Sequence, residues 1–151
     1  MFGLFKNKKK ALLPEAEQQK VVEAIKAAEQ NTSGEIRVFI ESRCSYVDPM
    51  DRAREVFFSL KMDKTENHNG VLIYVALVDH QLAILGDEGI YRKTDGDQYW
   101  QHEVQIMRAH FQKGQIADGI AACALDIGKA LSQHFPFNKD CDKNELPDEI
   151  V

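Results

Sequence analysis

The chain has 151 residues, 44% of them hydrophobic and 28% charged, and its formal net charge at pH 7 is −5. This length suits one domain with a single core, and the composition excludes both a disordered and a membrane-embedded protein. The acidic balance argues against nucleic-acid binding, which needs a basic face to neutralise phosphates.

Cysteine usage and the start of the chain bear on the compartment. The three cysteines are odd in number and far apart in sequence, which favours reduced thiols over a disulfide framework. Residues 1–10 do not form a signal peptide, because their short apolar stretch precedes the charges. No apolar run reaches the roughly eighteen residues of a membrane span. Together these features predict a cytoplasmic protein.

The composition divides the chain into three parts. Residues 1–13 form a flexible basic arm, residues 14–137 a single domain and residues 138–151 an acidic tail. The arm is either a disordered start or a weak membrane-surface contact, since each basic residue contributes about 1 kcal/mol near an anionic leaflet. The tail is either solvated because of its charge or docked along a sheet edge through Ile150 and Val151.

In chain order, the first predicted element is a helix from Pro14 to about Gln30, because proline suits the first helical position. Alternating side chains from Glu35 to Glu41 predict a strand. Asp48 as N-cap, followed by Pro49, begins a second helix.

The apolar run from Gly70 to Val78 predicts a central strand that is covered on both faces. A two-residue turn at Asp79 and His80 leads to an antiparallel strand from Gln81 to Leu85. Two long helices with apolar stripes follow, and the second ends near His134. This order predicts an α/β fold, a small mixed β-sheet with helices packed on both faces.

The common catalytic motifs are absent from the sequence. His102-Glu103 begins like a zinc-protease motif, but Ile106 stands where the second histidine belongs. There is no nucleophile elbow and no Walker loop. Motifs therefore assign no catalytic residue, and whether the chain is an enzyme stays open.

Polar residues at strand ends are the remaining candidates for chemistry. Asp87 and Glu88 follow a buried strand, where two adjacent carboxylates can hold a hard cation such as Ca²⁺ or Mg²⁺. Asp79 is a third candidate metal ligand. The alternative for all three residues is an ordinary polar turn.

A second candidate group precedes or begins the strands. Arg37 lies beside Glu35 on one strand, and a buried arginine there needs either a structural carboxylate or an anionic ligand. Asn69, before the central strand, either presents its amide to a ligand or forms a turn. Asp126 is predicted to face water from the polar side of the last helix.

Several segments in this order resemble a known family: Ser33 to Ile40, Asp51-Arg52-Ala53, Asn69 to Ala76, and Ala83 to Gly86 with Gly89-Ile90. They are similar to the TPM domain, whose label refers to thylakoid-lumen, photosystem II repair and cholinergic-receptor accessory members. The resemblance covers about residues 15 to 137. The chain looks like a short, soluble bacterial branch of that family.

The resemblance implies a three-layer sandwich around a small sheet. Some plant members are described as acid phosphatases and as binders of divalent cations. Many bacterial members carry an export signal and a membrane anchor, neither of which is predicted in these 151 residues, and are often encoded beside the LemA membrane protein. Residue matching places the cleft at these positions: Glu35, Arg37, Asn69, Asp79, Asp87 and Glu88.

Two hypotheses follow. In the first, the chain is a metal-assisted phosphatase that binds a divalent cation and an anionic ligand, with Arg37 offsetting charge in the transition state. In the second, it is a non-catalytic interaction module that acts with a membrane-associated partner of the LemA type.

Overall fold

The computed structural model describes residues 13–137 and Ile150, so the predicted basic arm and most of the acidic tail lie outside the described residues. The helices and strands follow the predicted order, with one exception: α1 Glu15–Glu29, β1 Glu35–Glu41, α2 Pro49–Ser59, β2 Gly70–Ala76, β3 Gln81–Gly86, α3 Glu88–Lys93, α4 Asp97–Gln112 and α5 Ile116–His134. The exception is the short helix α3, between β3 and the two long helices, which was not predicted. A single 3₁₀ turn, Met62–Lys64, precedes β2.

The three strands form the mixed sheet that the sequence predicted. β1 pairs in parallel with β2, and β2 pairs antiparallel with β3, in the spatial order β1-β2-β3. Glu35 lies opposite Gly70, and Val71 lies opposite Gly86. One end of the sheet therefore holds the beginnings of β1 and β2 and the end of β3, and we call it the amino end. The opposite end is the carboxyl end.

Helices cover both faces of this sheet, which confirms the predicted layers. One face packs against α1, α4 and α5 through a large apolar core that includes Ile36, Val71 and Ile120. The other face packs against α2 through a smaller core that includes Phe57 and Leu72. All positions of β2 are buried because it is central and covered on both sides.

The hairpin between β2 and β3 differs from the prediction. β2 ends at Ala76, and residues 77–80 form a four-residue turn rather than a two-residue one. The backbone N–H groups of Leu77 and Val78 donate to the carbonyls of Glu41 and Ser42, at 2.9 and 2.8 Å. Because these amides bond to the chain leaving β1, they cannot continue the ladder with β3.

The last described residue lies on an edge of the sheet. Ile150 forms an isolated parallel bridge with Val38 of β1, and only 8% of its surface is exposed. The sequence left open whether the tail is solvated or docks along a sheet edge. At Ile150 it docks on the edge.

Among the described residues, none of the helices combines the length and the apolarity that a membrane crossing requires.

Candidate functional site

Five of the six predicted site residues lie at the amino end of the sheet. Glu35, Arg37 and Asn69 are almost completely buried there, at 2%, 6% and 1% exposure. The backbone N–H of Glu35 donates to the carbonyl of Asn69 at 3.3 Å, and that of Asp87 donates to the carbonyl of Gly70 at 2.9 Å. The sheet register thus brings the predicted ligand-binding residues to one end, but beneath the surface.

Asn69 is held within this end by its side-chain amide. Its Nδ2 donates to Ser33 Oγ at 3.3 Å. Its Oδ1 and the hydroxyl of Thr65 are buried without a hydrogen-bond partner among the described residues. Two such groups on one loop are the usual surroundings of a buried water molecule.

Asp87 and Glu88 do not form a loop, because α3 begins at Glu88. Asp87 is its N-cap, and its Oδ1 accepts from the backbone N–H of Glu88 at 2.7 Å. Its Oδ2 lies 3.3 Å from Nδ1 of His68. Glu88 pairs with Arg92 one turn later on the helix. Each of the two carboxylates therefore has a partner within the protein, which agrees with the interpretation of these residues as structural polar residues.

Asp79 lies at the carboxyl end, far from these two residues. β3 separates it from Asp87, and six strand residues at about 3.3 Å each put the two carboxylates on the order of 20 Å apart. Asp79, Asp87 and Glu88 thus do not share one site. Among residues 13–137 and Ile150, no three His, Cys, Asp or Glu side chains are grouped so that they could hold a metal ion.

At the carboxyl end, Asp79 is anchored to the loop that leaves β1. Its Oδ2 accepts from the backbone N–H of Cys44 at 2.8 Å. Its Oδ1 accepts from Arg43 Nη1 at 3.2 Å. The Asp79 side chain is 27% exposed and that of Arg43 is 73% exposed, so this pair faces solvent.

Beside Asp79 lies a second ion pair, between Glu41 and Arg52. Arg52 Nε and Nη2 each donate to the Glu41 carboxylate at 2.9 Å, and Arg52 also contacts Glu55. The Arg52 guanidinium carbon lies 5.6 Å from the ring centroid of Phe39. Since its hydrogen bond to Glu41 raises the pKa of Arg52, this side chain stays charged.

Tyr74 connects the ion pair of Arg52 and Glu41, through Cys44, to the ion pair of Arg43 and Asp79. Its hydroxyl donates to Glu41, and the Cys44 thiol is a second hydrogen-bond neighbour. Burial, followed by the hydrogen bond to Glu41, raises the pKa of Tyr74, so the hydroxyl keeps its proton and remains a donor. We call this set of five residues the carboxyl-end network: Glu41, Cys44, Arg52, Tyr74 and Asp79.

Sequence reasoning singled out only Asp79 of this network as a site residue. Two signals could have found more of it. Glu41 ends the same strand face that carries Arg37 and Phe39, and Arg52 stands within one of the segments that carried the family resemblance. Neither signal shows that the two side chains meet.

A further pair of acidic residues lies between α4 and α5. Glu103 is 1% exposed, and desolvation, together with the neighbouring carboxyl of Asp126, raises its pKa to about 8. Burial also raises the pKa of the Cys123 thiol beside them. The prediction that Asp126 faces water was wrong, since the side chain is half-buried against α4.

The three layers and this arrangement of polar groups define a small α/β/α domain. A family model for the TPM domain matches residues 7–130, and the chain belongs to the TPM domain family. The resemblance drawn from the sequence is thereby confirmed.

Two solved structures are similar to this chain. The BA42 protein of the psychrophilic bacterium Bizionia argentinensis is 42% identical with a TM-score of 0.83, and the match covers 92% of this chain and 94% of BA42. The N-terminal domain of the cg2496 protein of Corynebacterium glutamicum is 18% identical with a TM-score of 0.54, covering 77% and 70% of the two chains. That second likeness concerns the fold alone. None of the curated proteins matches this chain.

Proposed function

We propose that this TPM domain binds a divalent cation and a phosphate-bearing ligand at the carboxyl end of its sheet, and hydrolyses a phosphate ester there. One observation carries the proposal. Asp79 and Glu41 are both connected to Cys44. Asp79 accepts a hydrogen bond from the backbone N–H of Cys44, and Glu41 accepts one from the hydroxyl of Tyr74, which also neighbours the Cys44 thiol. Glu41 is the last residue of β1 and Asp79 follows β2, so both lie at the carboxyl ends of two parallel strands, where α/β sheets place their ligands.

The chemistry of these donors fits a hard cation. Carboxylate oxygens are preferred ligands of Mg²⁺ and Ca²⁺. Mg²⁺ in phosphoryl-transfer sites uses only one or two carboxylates, with water and substrate phosphate completing its coordination. Asp79 and Glu41 are 27% and 23% exposed at their side chains, so both can be reached from solvent. When bound, such a cation would polarise a phosphoryl oxygen and lower the pKa of a bound water.

The two arginines have separate tasks in this proposal. Arg43 is largely exposed and contacts Asp79 through one nitrogen, so the rest of its guanidinium can turn towards a phosphate. Arg52 is held by Glu41 and Glu55, and it keeps the Glu41 carboxylate in place. This assignment moves the role of charge stabilisation from Arg37, which is buried at the amino end, to Arg43. The matching family model bears the name of a phosphatase, which favours the same reaction class.

The test combines metal binding with turnover. Thermal unfolding is recorded with Mg²⁺, Ca²⁺, Mn²⁺ and Zn²⁺, and hydrolysis of p-nitrophenyl phosphate is measured on the same samples. We expect saturable stabilisation by Mg²⁺ or Ca²⁺ and metal-dependent turnover, both lost in Asp79→Asn. Asp118→Asn is the matched control, because Asp118 on α5 forms an exposed ion pair with Lys20 on α1 and is not part of the carboxyl-end network. Turnover that survives in Asp79→Asn would contradict the proposal.

A further inference from the structure

A cleft lies on the face of the sheet opposite α2, between the β2–β3 turn and the end of α4. Its volume is about 410 Å³, which is within the range of small-molecule sites. Val75 and Leu82, a cross-strand pair, form its floor. Phe111 and Ile116, from the junction of α4 and α5, form its wall. Most of its lining is therefore apolar.

Two basic side chains stand in this apolar lining. Arg108 comes from the last turns of α4, and His80 comes from the β2–β3 turn, so they approach the cleft from different elements. Both side chains are exposed. Among the described residues, no carboxylate pairs with Arg108. Its five N–H donors are thus available to a ligand, and the His80 ring offers another N–H.

The position of His80 depends on the backbone of the turn. Its φ is 53°, in the left-handed region, which histidine tolerates better than most residues. The residue that precedes it in the chain, Asp79, belongs to the carboxyl-end network on the other face. The two faces are separated by β2 and β3, since Tyr74 packs on the α2 side and Val75 on the α4–α5 side. The cleft and the network are therefore separate sites.

We propose that this cleft binds an amphiphilic anion, a molecule with one carboxylate or phosphate head and an apolar body. The apolar body covers the half-buried side chains of Leu77, Phe111 and Ile116, and removing such surface from water is favourable. The head pairs with Arg108, whose planar guanidinium matches both head groups bidentately. An apolar molecule without charge would leave Arg108 unpaired, and a cation would be repelled by it.

The test uses octanoate as the probe and 1-octanol as its uncharged match, with octylphosphonate, which has no hydrolysable ester bond, as a second anion. Binding is followed by amide chemical shifts of the full chain. We expect saturable shifts at Leu77, Leu82 and Phe111 with either anion, and much weaker ones with 1-octanol. Arg108→Gln should weaken octanoate binding by about two- to fivefold, the range typical of an exposed ion pair. Arg92→Gln, an exposed arginine on α3, should leave octanoate binding unchanged.

Three results would overturn the proposal. The first is equal binding of octanoate and 1-octanol, and the second is an equal loss of affinity in the Arg108 and Arg92 variants. The third is no saturable shift with any probe while the protein sediments with phosphatidylglycerol vesicles through Arg108, which would assign this face to a lipid surface. Loss of octanoate binding in His80→Gln would support two-point recognition of the head. None of these readouts involves metal or phosphate-ester hydrolysis, so the cleft and the proposed activity are tested independently.

Discussion

The carboxyl group of Glu103 on α4 lies against that of Asp126 on α5, in the buried seam between the two helices. Desolvation and this neighbour raise the pKa of Glu103 to about 8, from an ordinary value of 4.5. At neutral pH the folded protein therefore holds a proton on Glu103 that the unfolded chain releases. The burial of Glu103, with a smaller contribution from Asp126, therefore makes the stability of the domain depend on pH.

We expect Glu103→Gln to flatten this dependence. Below pH 4.5 Glu103 is protonated in both states, so it has no electrostatic penalty. Between pH 4.5 and about 8 only the unfolded chain ionises, so the parent loses stability as the pH rises. The free energy of unfolding of Glu103→Gln, relative to that of the parent, should therefore increase as the pH rises through this window, by on the order of a few kcal/mol.

Urea unfolding at pH 4.5, 6 and 8 measures this difference. Glu88→Gln is the control, because Glu88 is exposed on α3 and should show no such trend. Asp126→Asn should flatten the pH dependence in part, since Asp126 contributes to the raised pKa of Glu103. A gap between Glu103→Gln and the parent that does not change with pH would show that Glu103 ionises normally in the folded protein.

The ion pair between Arg52 and Glu41 should contribute more to the free energy of unfolding than an exposed ion pair on α2 does. Arg52→Gln leaves the half-buried Glu41 carboxylate without its cation, and we expect a loss of about 1–3 kcal/mol in the free energy of unfolding. Arg54→Gln breaks an exposed pair with Asp51 and should cost less than about 0.5 kcal/mol. Denaturant unfolding of both variants compares them directly, and equal losses would contradict the assignment.

Gly89 is required by a close approach of two backbone segments. A Cβ at this position would lie 2.2 Å from the carbonyl oxygen of Asn67 and 2.6 Å from that of His68. Alanine normally favours a helix over glycine, yet Gly89→Ala in α3 should lower the free energy of unfolding by about 1–3 kcal/mol. In the control Gly34→Ala, the new Cβ meets the flexible end of the Leu131 side chain, so a smaller loss is expected. Unfolding experiments would contradict this if the two losses were equal.

The docking of Ile150 on β1 gives a fourth prediction. Ile150→Ser should lower the free energy of unfolding by about 1–2 kcal/mol, because a buried apolar side chain becomes polar. Phe137→Ser is the control, since Phe137 is 47% exposed, and should change stability by less than about 0.5 kcal/mol. An Ile150 variant with an unchanged melting temperature would show that this contact contributes nothing.

Local patterns in the sequence predicted the elements well, for physical reasons. Alternating side chains predicted the strand from Glu35 to Glu41, and the N-cap at Asp48 predicted the start of the second helix. Both signals involve only neighbouring residues, and both elements were confirmed. The end of β2 was predicted two residues too late. Val78 is as apolar as the strand before it, but the backbone N–H groups of Leu77 and Val78 donate to the carbonyls of Glu41 and Ser42, far away in the sequence, and so belong to the turn.

The candidate site was less predictable, because its contacts join separate elements. Arg52 meets Glu41 across the space between α2 and β1, and Glu103 meets Asp126 across two helices. No local periodicity encodes either contact. The separation of Asp79 from Asp87 was available from the sequence, however, because a hairpin strand carries its two ends to opposite ends of a sheet.

We propose that the cation site lies at the carboxyl end of the sheet and not at the amino end. The most direct measurement is a titration of Mg²⁺ into the full chain, followed through the amide chemical shifts of Cys44, Asp79 and Asp87. We expect saturable shifts at Cys44 and Asp79 that are absent in Asp79→Asn, with Asp87 unaffected. Shifts confined to Asp87 and Glu88, or no shifts at millimolar Mg²⁺, would contradict it.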